Sequence, residues 1–245
     1  THEPKIPYRE TILTSAEGSY RHKKQSGGRG QFGEVHIRMF PLPRDVDPES
    51  YVAENFPHRR THHWNAAHRF LWVDSITQGS IPNNFLPAVE KGFVERLDQG
   101  VVAGYPVEGV CVEVFYGKHH DVDSSEAAFK IAGSRVFREV FKKAQPTLLE
   151  PIVSLHVTIP VEVVGEVTGD LSSRRGRPIG MDSAGAWQTI HAEIPLAETT
   201  GYDRALSSLT GGRGEYTLEL SHYEAAPHHV QQKVVQAAQH VEIDD

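Results

Sequence analysis

The sequence predicts an α+β protein made of two two-layer α/β sandwich domains, and three observations carry that expectation. Strand-like alternation and amphipathic helical stretches are interspersed along all 245 residues. The proline-flanked segment "QPTLLEP" at 145–151 breaks the chain near residue 147. Beyond it the elements run strand, helix, two strands, helix, strand, the βαββαβ order of a ferredoxin-like sandwich. The expected division is therefore 1–147, which contains a βαβ unit, and 148–245, ferredoxin-like with a C-terminal helix.

Taken in order, "IPYRETI" at 6–12 and the alternating "EVHIRMF" (Val35, Ile37, Met39) read as strands flanking a glycine loop. That loop, within "HKKQSGGRGQFGEV" at 22–35, places Gly28, Gly30 and Gly33 in the spacing G-x-G-x-x-G. A dinucleotide site needs a helix after the glycines, so that the helix N-terminus faces the pyrophosphate. A strand follows instead, and no Gly-Lys-Ser/Thr of a P-loop occurs. The segment reads as a hairpin-like connection with a basic tip: Lys23, Lys24 and Arg29.

Residues 41–84 read as loop, apart from a short strand at "LWVDSI". In "NNFLPAVEKGFVERLDQG", Leu86, Val89, Phe93 and Leu97 share one helical face that ends at Gly100. "VVAGYPVEGVCVEVFYG" gives a turn and a strand. "DVDSSEAAFKIAGSRVFREVFKKA" is the clearest helix, with Asp123 as the expected N-cap and Glu126 completing a capping box. Phe129, Val136, Phe137 and Val140 form its apolar face, and Lys142 and Lys143 suit its C-terminal dipole. Past residue 147 come strands at 152–161, 177–184, 187–196 and 215–224. Helices are expected at 162–176 and 200–212, with a last one after Pro227.

Composition narrows the function. The formal net charge is −7, yet residues 1–145 hold 19 Lys+Arg against 18 Asp+Glu, whereas 146–245 hold 6 against 14. A local basic loop binds phosphate whatever the total charge, because screening removes distant acids within about 10 Å. No apolar run reaches the roughly 20 residues of a membrane-spanning helix. The single cysteine, Cys111, excludes an intrachain disulfide framework, fits a reducing, cytoplasmic setting and reads as a packed core thiol.

His58, His62, His63 and His68 lie close enough in sequence to raise zinc ligation. Pro57 and the adjacent arginines favour an irregular solvated loop over a helix that would converge His58 and His62. Trp64 and Trp72 read as packing anchors. In "HHDVD", neighbouring residues rarely converge on one ion, so no metal is assigned there. No nucleophile–base pair is apparent either, which counts against a small-ligand or metal-dependent enzyme.

The ordered set "YRETI", "HKKQSGGRGQFG", "LPAVEKG", "AGYPV", "HDVDSSEAAFKIAGS", "FKKAQPTLLEPI", "GDLSSRRG", "IHAEIPLAETTGY" and "SLTGGRGEYTLE" covers nearly the whole chain. It resembles the C-terminal part, domains IV and V, of elongation factor G and its relative elongation factor 2. The resemblance implies that 1–147 is an elongated domain IV whose tip loops enter the decoding region of the small ribosomal subunit and promote tRNA–mRNA translocation. It makes Lys23, Lys24, Gly28, Arg29, Gly30 and Gln31 the first tip loop. His119, His120, Asp121 and Ser124 fall in the second, with His120 at the position that carries diphthamide in elongation factor 2. The implied domain V lies near the base of the ribosomal stalk, with Arg174, Arg175 and Arg177 as its RNA contacts. Further implications are a monomeric chain without catalytic residues, and GTP with magnesium bound by a GTPase domain that this sequence does not match. Two departures, an expanded region around 52–72 and His119 in place of an aromatic residue, point to a divergent member. A paralogue acting in ribosome recycling is the alternative within translation.

Overall fold

The computed structural model of the chain describes residues 5–25 and 27–243. They divide into two compact units, the larger comprising Arg9–Leu148 with the segment from Pro227, the smaller comprising Leu149–Ala226 with the residues up to Tyr8. Both are α/β sandwiches, as the alternating patterns predict.

In the larger unit the elements are β1 (Arg9–Ile12), β2 (Ala16–Lys24), β3 (Gln31–Pro41), α1 (Pro48–Asn55), β4 (Thr61–Asn65), β5 (Phe70–Asp74), α2 (Leu86–Gln99), β6 (Val110–Lys118) and α3 (Glu126–Lys143). The sheet order is β2-β3-β6-β5-β4; β5 and β6 run parallel and the other pairs antiparallel. Val35, Ile37 and Met39 of β3 and Val110, Val112 and Val114 of β6 all point to one face, where Phe93 and Leu97 of α2 and Phe129 and Phe137 of α3 cover them. Alternation on the strands and the 3.6-residue period on the helices thus meet in one core.

Two glycines let the helices approach backbone to backbone. A Cβ on Gly92 would lie 2.3 Å from the Lys130 carbonyl oxygen and 2.7 Å from the Ser134 nitrogen, and one on Gly133 would lie 2.7 Å from the Val89 oxygen. After α2, Gly100 takes φ 74° and the chain turns through 101–105. There the fully buried carboxylate of Glu10 accepts backbone N–H groups from Val101, Val102, Ala103 and Tyr105 at 2.7–3.0 Å. Four donors offset the cost of burying that charge.

Several expectations are corrected here. The strand before the glycine loop is β2, not 6–12; its residues alternate half-buried with exposed polar ones, so the apolar pattern is faint. Residues 41–84 are not mainly loop. Asp47 caps α1 by accepting the Ser50 N–H, and Pro48 opens it. The histidine-rich piece forms the β4–β5 hairpin at the edge of the sheet. Leu42, Val52, Phe56, Leu71, Val73 and Cys111 build a second small core on the opposite sheet face, with Trp64 packed against it. Helix α3 begins at Glu126 and is capped by Ser125, whose Oγ accepts the Ala128 N–H at 3.1 Å; Asp123 does not cap it, and the capping box is absent.

The smaller unit takes most of β7 (Pro146–Pro160), then α4 (Val164–Ser173), β8 (Arg177–Ala184), β9 (Trp187–Pro195), α5 (Tyr202–Thr210) and β10 (Glu215–Ala225). Its strands pair antiparallel in the order β10-β7-β9-β8, the arrangement the βαββαβ pattern requires. Leu155, Val157, Ile190, Ala192 and Ile194 meet Val167, Leu171, Tyr202 and Leu206 of the two helices. The last helix, α6 (His228–Ile243), groups with the larger unit, where Gln231 accepts the Leu148 N–H at 3.1 Å and donates to Thr147 Oγ1 at 2.9 Å. The sequence division had run the second domain through it to 245.

The glycine contact generates a stability prediction. Gly92→Ala is expected to cost about 2–3 kcal/mol, because neither backbone can yield to the added methyl without parting the helices. Urea unfolding of the two chains measures it.

Candidate nucleic-acid interface

The β2–β3 hairpin and the N-terminus of α3 bring two loops together, the glycine loop at 27–30 and the segment 119–124. Gly33 allows this approach. A Cβ there would stand 3.3 Å from the Ala128 backbone, so β3 lies tight against the first turn of α3. From that contact outward the loops are latched. Phe32 N–H donates to the Asp123 carbonyl at 3.0 Å. Gly30 N–H donates to Asp123 Oδ1 at 3.2 Å, and Arg29 Nε to the Val122 carbonyl at 2.9 Å. Ser124 Oγ donates to the Phe32 carbonyl at 2.9 Å and accepts the His120 N–H at 2.8 Å.

Each expected tip residue now has a place. Lys23 and Lys24 are exposed at the end of β2, and as successive strand residues they project to opposite faces. Gly28 borders open space, and Arg29 is exposed. Gln31 is half-buried; its side-chain oxygen accepts from His22 Nε2 at 2.8 Å, which leaves its amide donors free of that bond. His120 is 57% exposed in its side chain. Val122 and Asp123 N–H groups both reach its Nδ1 at 3.3 Å, so that nitrogen accepts and the ring proton resides on Nε2. His119 donates to the Ser80 carbonyl at 3.3 Å and approaches the almost fully exposed Asp121 at 3.5 Å. Ser124, by contrast, is buried and spent on the latch, so it positions the loops and is not presented at the surface.

Three residues escaped sequence reasoning. His22 holds Gln31, Asp123 ties the glycine loop, and Val122 stands exposed between the loops. The alternation of β2 places His22 inward opposite Gly33, but that signal needs the strand, which the polar sequence hides.

Behind the tip, Glu34 accepts from Arg21 at 2.7 Å and from His36 at 3.1 Å. Burial opposes its ionisation, yet these two partners prevail and hold its carboxyl below the ordinary range.

The arginines of the smaller unit are engaged internally. Arg174 pairs with Asp170 at 3.1 Å and donates to the Glu198 and Thr200 carbonyls. Arg175 grips the buried Glu150 through two bonds of 2.7 and 3.0 Å and also reaches Glu198; the Glu150 bonds raise its pKa against the cost of burial. Arg177 bridges Glu193 and Glu224 at 3.0 and 2.8 Å. Glu193, His222 and Glu224 have metal-ligand spacing, and the Arg177 guanidinium already supplies a cation to both carboxylates. The histidines of the insertion diverge. His62 meets Glu49 at 3.0 Å, His63 meets Glu90 at 3.2 Å, and His68 meets Asp98 at 2.9 Å.

Comparison with known proteins identifies what this arrangement belongs to. The model of elongation factor G domain IV matches residues 4–55 and 63–145, and that of the elongation factor G C-terminus matches 147–234. The chain belongs to the elongation factor G family. An elongation factor G-like protein of Thermotoga maritima is 43% identical over 235 residues, covering 96% of this chain and 31% of the relative. A crystal structure of a protein from Thermus thermophilus superposes with a TM-score of 0.74 at 44% identity, covering 97% of this chain and 32% of that one. The chain thus spans about a third of the length of these relatives. Residues 56–62, which the elongation factor G domain IV model leaves unmatched, span the connection from α1 and the first two residues of β4, inside the expanded region.

The bonding of the site yields two predictions. Ser124→Ala strips the acceptor from the His120 N–H and a donor from Phe32, and is expected to cost about 1–3 kcal/mol with faster amide exchange at His120. Glu34→Gln is expected to destabilise the chain at neutral pH. The gap should close as pH falls through the carboxylate range, because a depressed pKa contributes stability only while the group is charged. Denaturant melts across that range test the sign.

Proposed function

We propose that this chain is the ribosome-docking part of an elongation factor G-like translational GTPase, with its latched loops entering the decoding region of the small subunit to promote tRNA–mRNA translocation. The observation that carries this reading is the joining of two sequence-distant loops into one tip bearing Arg29, Gln31 and His120, with Lys23 and Lys24 exposed beside it on opposite faces of β2. Cations there neutralise phosphates, glycines let the backbone come close to RNA, and the Gln31 amide and His120 Nε2–H suit acceptors and 2′-hydroxyls in an RNA minor groove. His119 and Asp121 flank that surface. Its work is done by shape and charge, and no covalent step is assigned to it. GTP and its magnesium are assigned to a domain outside these residues, and the setting is the cytoplasm.

In the smaller unit, Arg174, Arg175 and Arg177 approach ribosomal RNA at the stalk base only with the donors their carboxylate partners leave unused. Among the described residues no helix is long and apolar enough to cross a membrane, consistent with a ribosomal partner.

The test uses the full-length protein. Gln31→Ala combined with His120→Ala is expected to slow tRNA–mRNA movement roughly thirtyfold, the loss of two hydrogen bonds of about 1 kcal/mol each, while ribosome-dependent GTP hydrolysis persists. Unchanged movement would show that the tip assignment is wrong. The chain of residues 1–245 should bind ribosomes with an affinity that falls steeply with salt, by close to one logarithmic unit of slope per phosphate contacted.

A further inference from the structure

We infer that His156 and His191 form a binding site for a divalent transition-metal ion on the open face of the smaller unit's sheet, with Asp182 as its positioning residue. His156 of β7 and His191 of β9 are directly opposed in the antiparallel register. Their strand neighbours Leu155, Val157, Ile190 and Ala192 point into the core beneath α4 and α5, so alternation turns both imidazoles to the other face. There the rings meet edge to face with centroids 4.8 Å apart, and their Nδ1 atoms approach to 2.5 Å. The site is independent of the tip loops and goes beyond the proposed function.

A third residue sets the direction of the lone pairs. His191 Nε2 lies 2.7 Å from Asp182 Oδ2, so the His191 proton sits on Nε2 and is donated to the carboxylate, leaving a lone pair at Nδ1. Without an ion, His156 donates its Nδ1 proton to that lone pair. A bound ion takes the place of this proton, which passes to His156 Nε2, and both Nδ1 lone pairs then face one point. Histidine ligands of metal ions almost always give their second N–H to such a partner, which fixes the tautomer and makes the ring a stronger ligand. Two imidazole nitrogens on a tetrahedral zinc ion stand roughly 3.3 Å apart, a separation reached by small rotations of these two half-buried side chains.

The donor set selects the ion. Imidazole suits copper(II), nickel(II) and zinc, whereas magnesium and calcium take oxygen ligands. The neighbouring cluster of Glu193, His222 and Glu224 is already neutralised by Arg177, but among the described residues no lysine or arginine pairs with Asp182. His156 also borders an open groove with Thr158, Glu215 and Thr217, which admits an ion and its waters from solvent. With two protein ligands the remaining positions carry water. The ion joins β7 to β9 and, through Asp182, to the fully exposed edge strand β8.

Calorimetric titration of the chain with zinc chloride tests this. One equivalent is expected to disappear in His156→Gln and in His191→Gln and to persist in His222→Gln, which alters the cluster beside Arg177. Asp182→Asn should keep the equivalent but weaken it about tenfold, as for loss of a carboxylate behind a ligand, with the ion-free melting temperature unchanged. Copper(II) should bind more tightly than zinc, and magnesium should not bind. Side-chain nitrogen resonances of the unsubstituted chain, which holds 15 histidines, read the site without relying on a variant to fold: zinc should move the Nδ1 signals of His156 and His191 together.

Unchanged zinc stoichiometry and affinity in both glutamine variants, or Nδ1 signals of His156 and His191 that stay in place, overturns the inference. Loss of the equivalent in His222→Gln also overturns it, since the ion then belongs to the acidic cluster. If neither zinc nor copper(II) binds, the two histidines are a proton-sharing pair and no metal site. Parental affinity in Asp182→Asn removes the role given to that carboxylate. None of these outcomes bears on ribosome binding, so the proposed function stands or falls separately.

Discussion

The close approach of backbone to backbone at Gly92, Gly133 and Gly33 is the constraint on which the larger unit depends. Helices separated by ordinary side chains lie about 8–10 Å apart. Here α2 and α3 touch through peptide groups, so both fit over one sheet face. Gly33 then draws β3 against the first turn of α3, which fixes where residues 119–124 emerge. A methyl group at any of these three points would move the tip by pushing apart the elements that carry it. The cradle of four N–H groups around Glu10 has a similar logic at the other end of α2, fixing the turn that returns the chain toward β6.

The expanded region shows how an insertion is made tolerable. Val52 of α1, Phe56 after it and Trp64 of β4 pack on the outer sheet face against Leu71, Val73 and Cys111 of β5 and β6. The histidines then fasten the hairpin's polar side to nearby carboxylates. Residues 56–62, outside the family match, lengthen the connection on that face, while β5 keeps Phe70 and Trp72 in the main core.

Much of the architecture was legible in the sequence because strong periodicity survives translation into structure. Val35, Ile37 and Met39 alternate, Leu86, Val89, Phe93 and Leu97 recur at helical spacing, and all of them are buried as expected. The βαββαβ order of the smaller unit was equally readable. What failed was polar. Strand β2 lies at a sheet edge and carries charged residues outward, so its pattern is faint, and β4 repeats the problem with "THHWN". Asp123 looked like a cap because helix caps and loop ties use the same carboxylate chemistry, and only the position of Gly30 in space separates them. The tip basic residues were found through their loop, whereas His22 meets Gln31 nine residues away and Val122 meets Arg29 93 residues away, which no local pattern reveals. Arg174, Arg175 and Arg177 show the converse: a basic run is legible, but of the carboxylates that occupy it only Asp170 is local, and Glu150, Glu193, Glu198 and Glu224 come from distant positions.

The bond from Gly30 to Asp123 spans 93 residues. Contacts of such separation carry a large loop-closure entropy. The tip therefore cannot close before α3 has been made, although its first half leaves the biosynthetic machinery early. A chain interrupted before α3 would expose the glycine loop without its counterpart, chemically complete in that segment and yet unable to present a surface. Completion of the tip is in this sense a certificate that the domain behind it has folded.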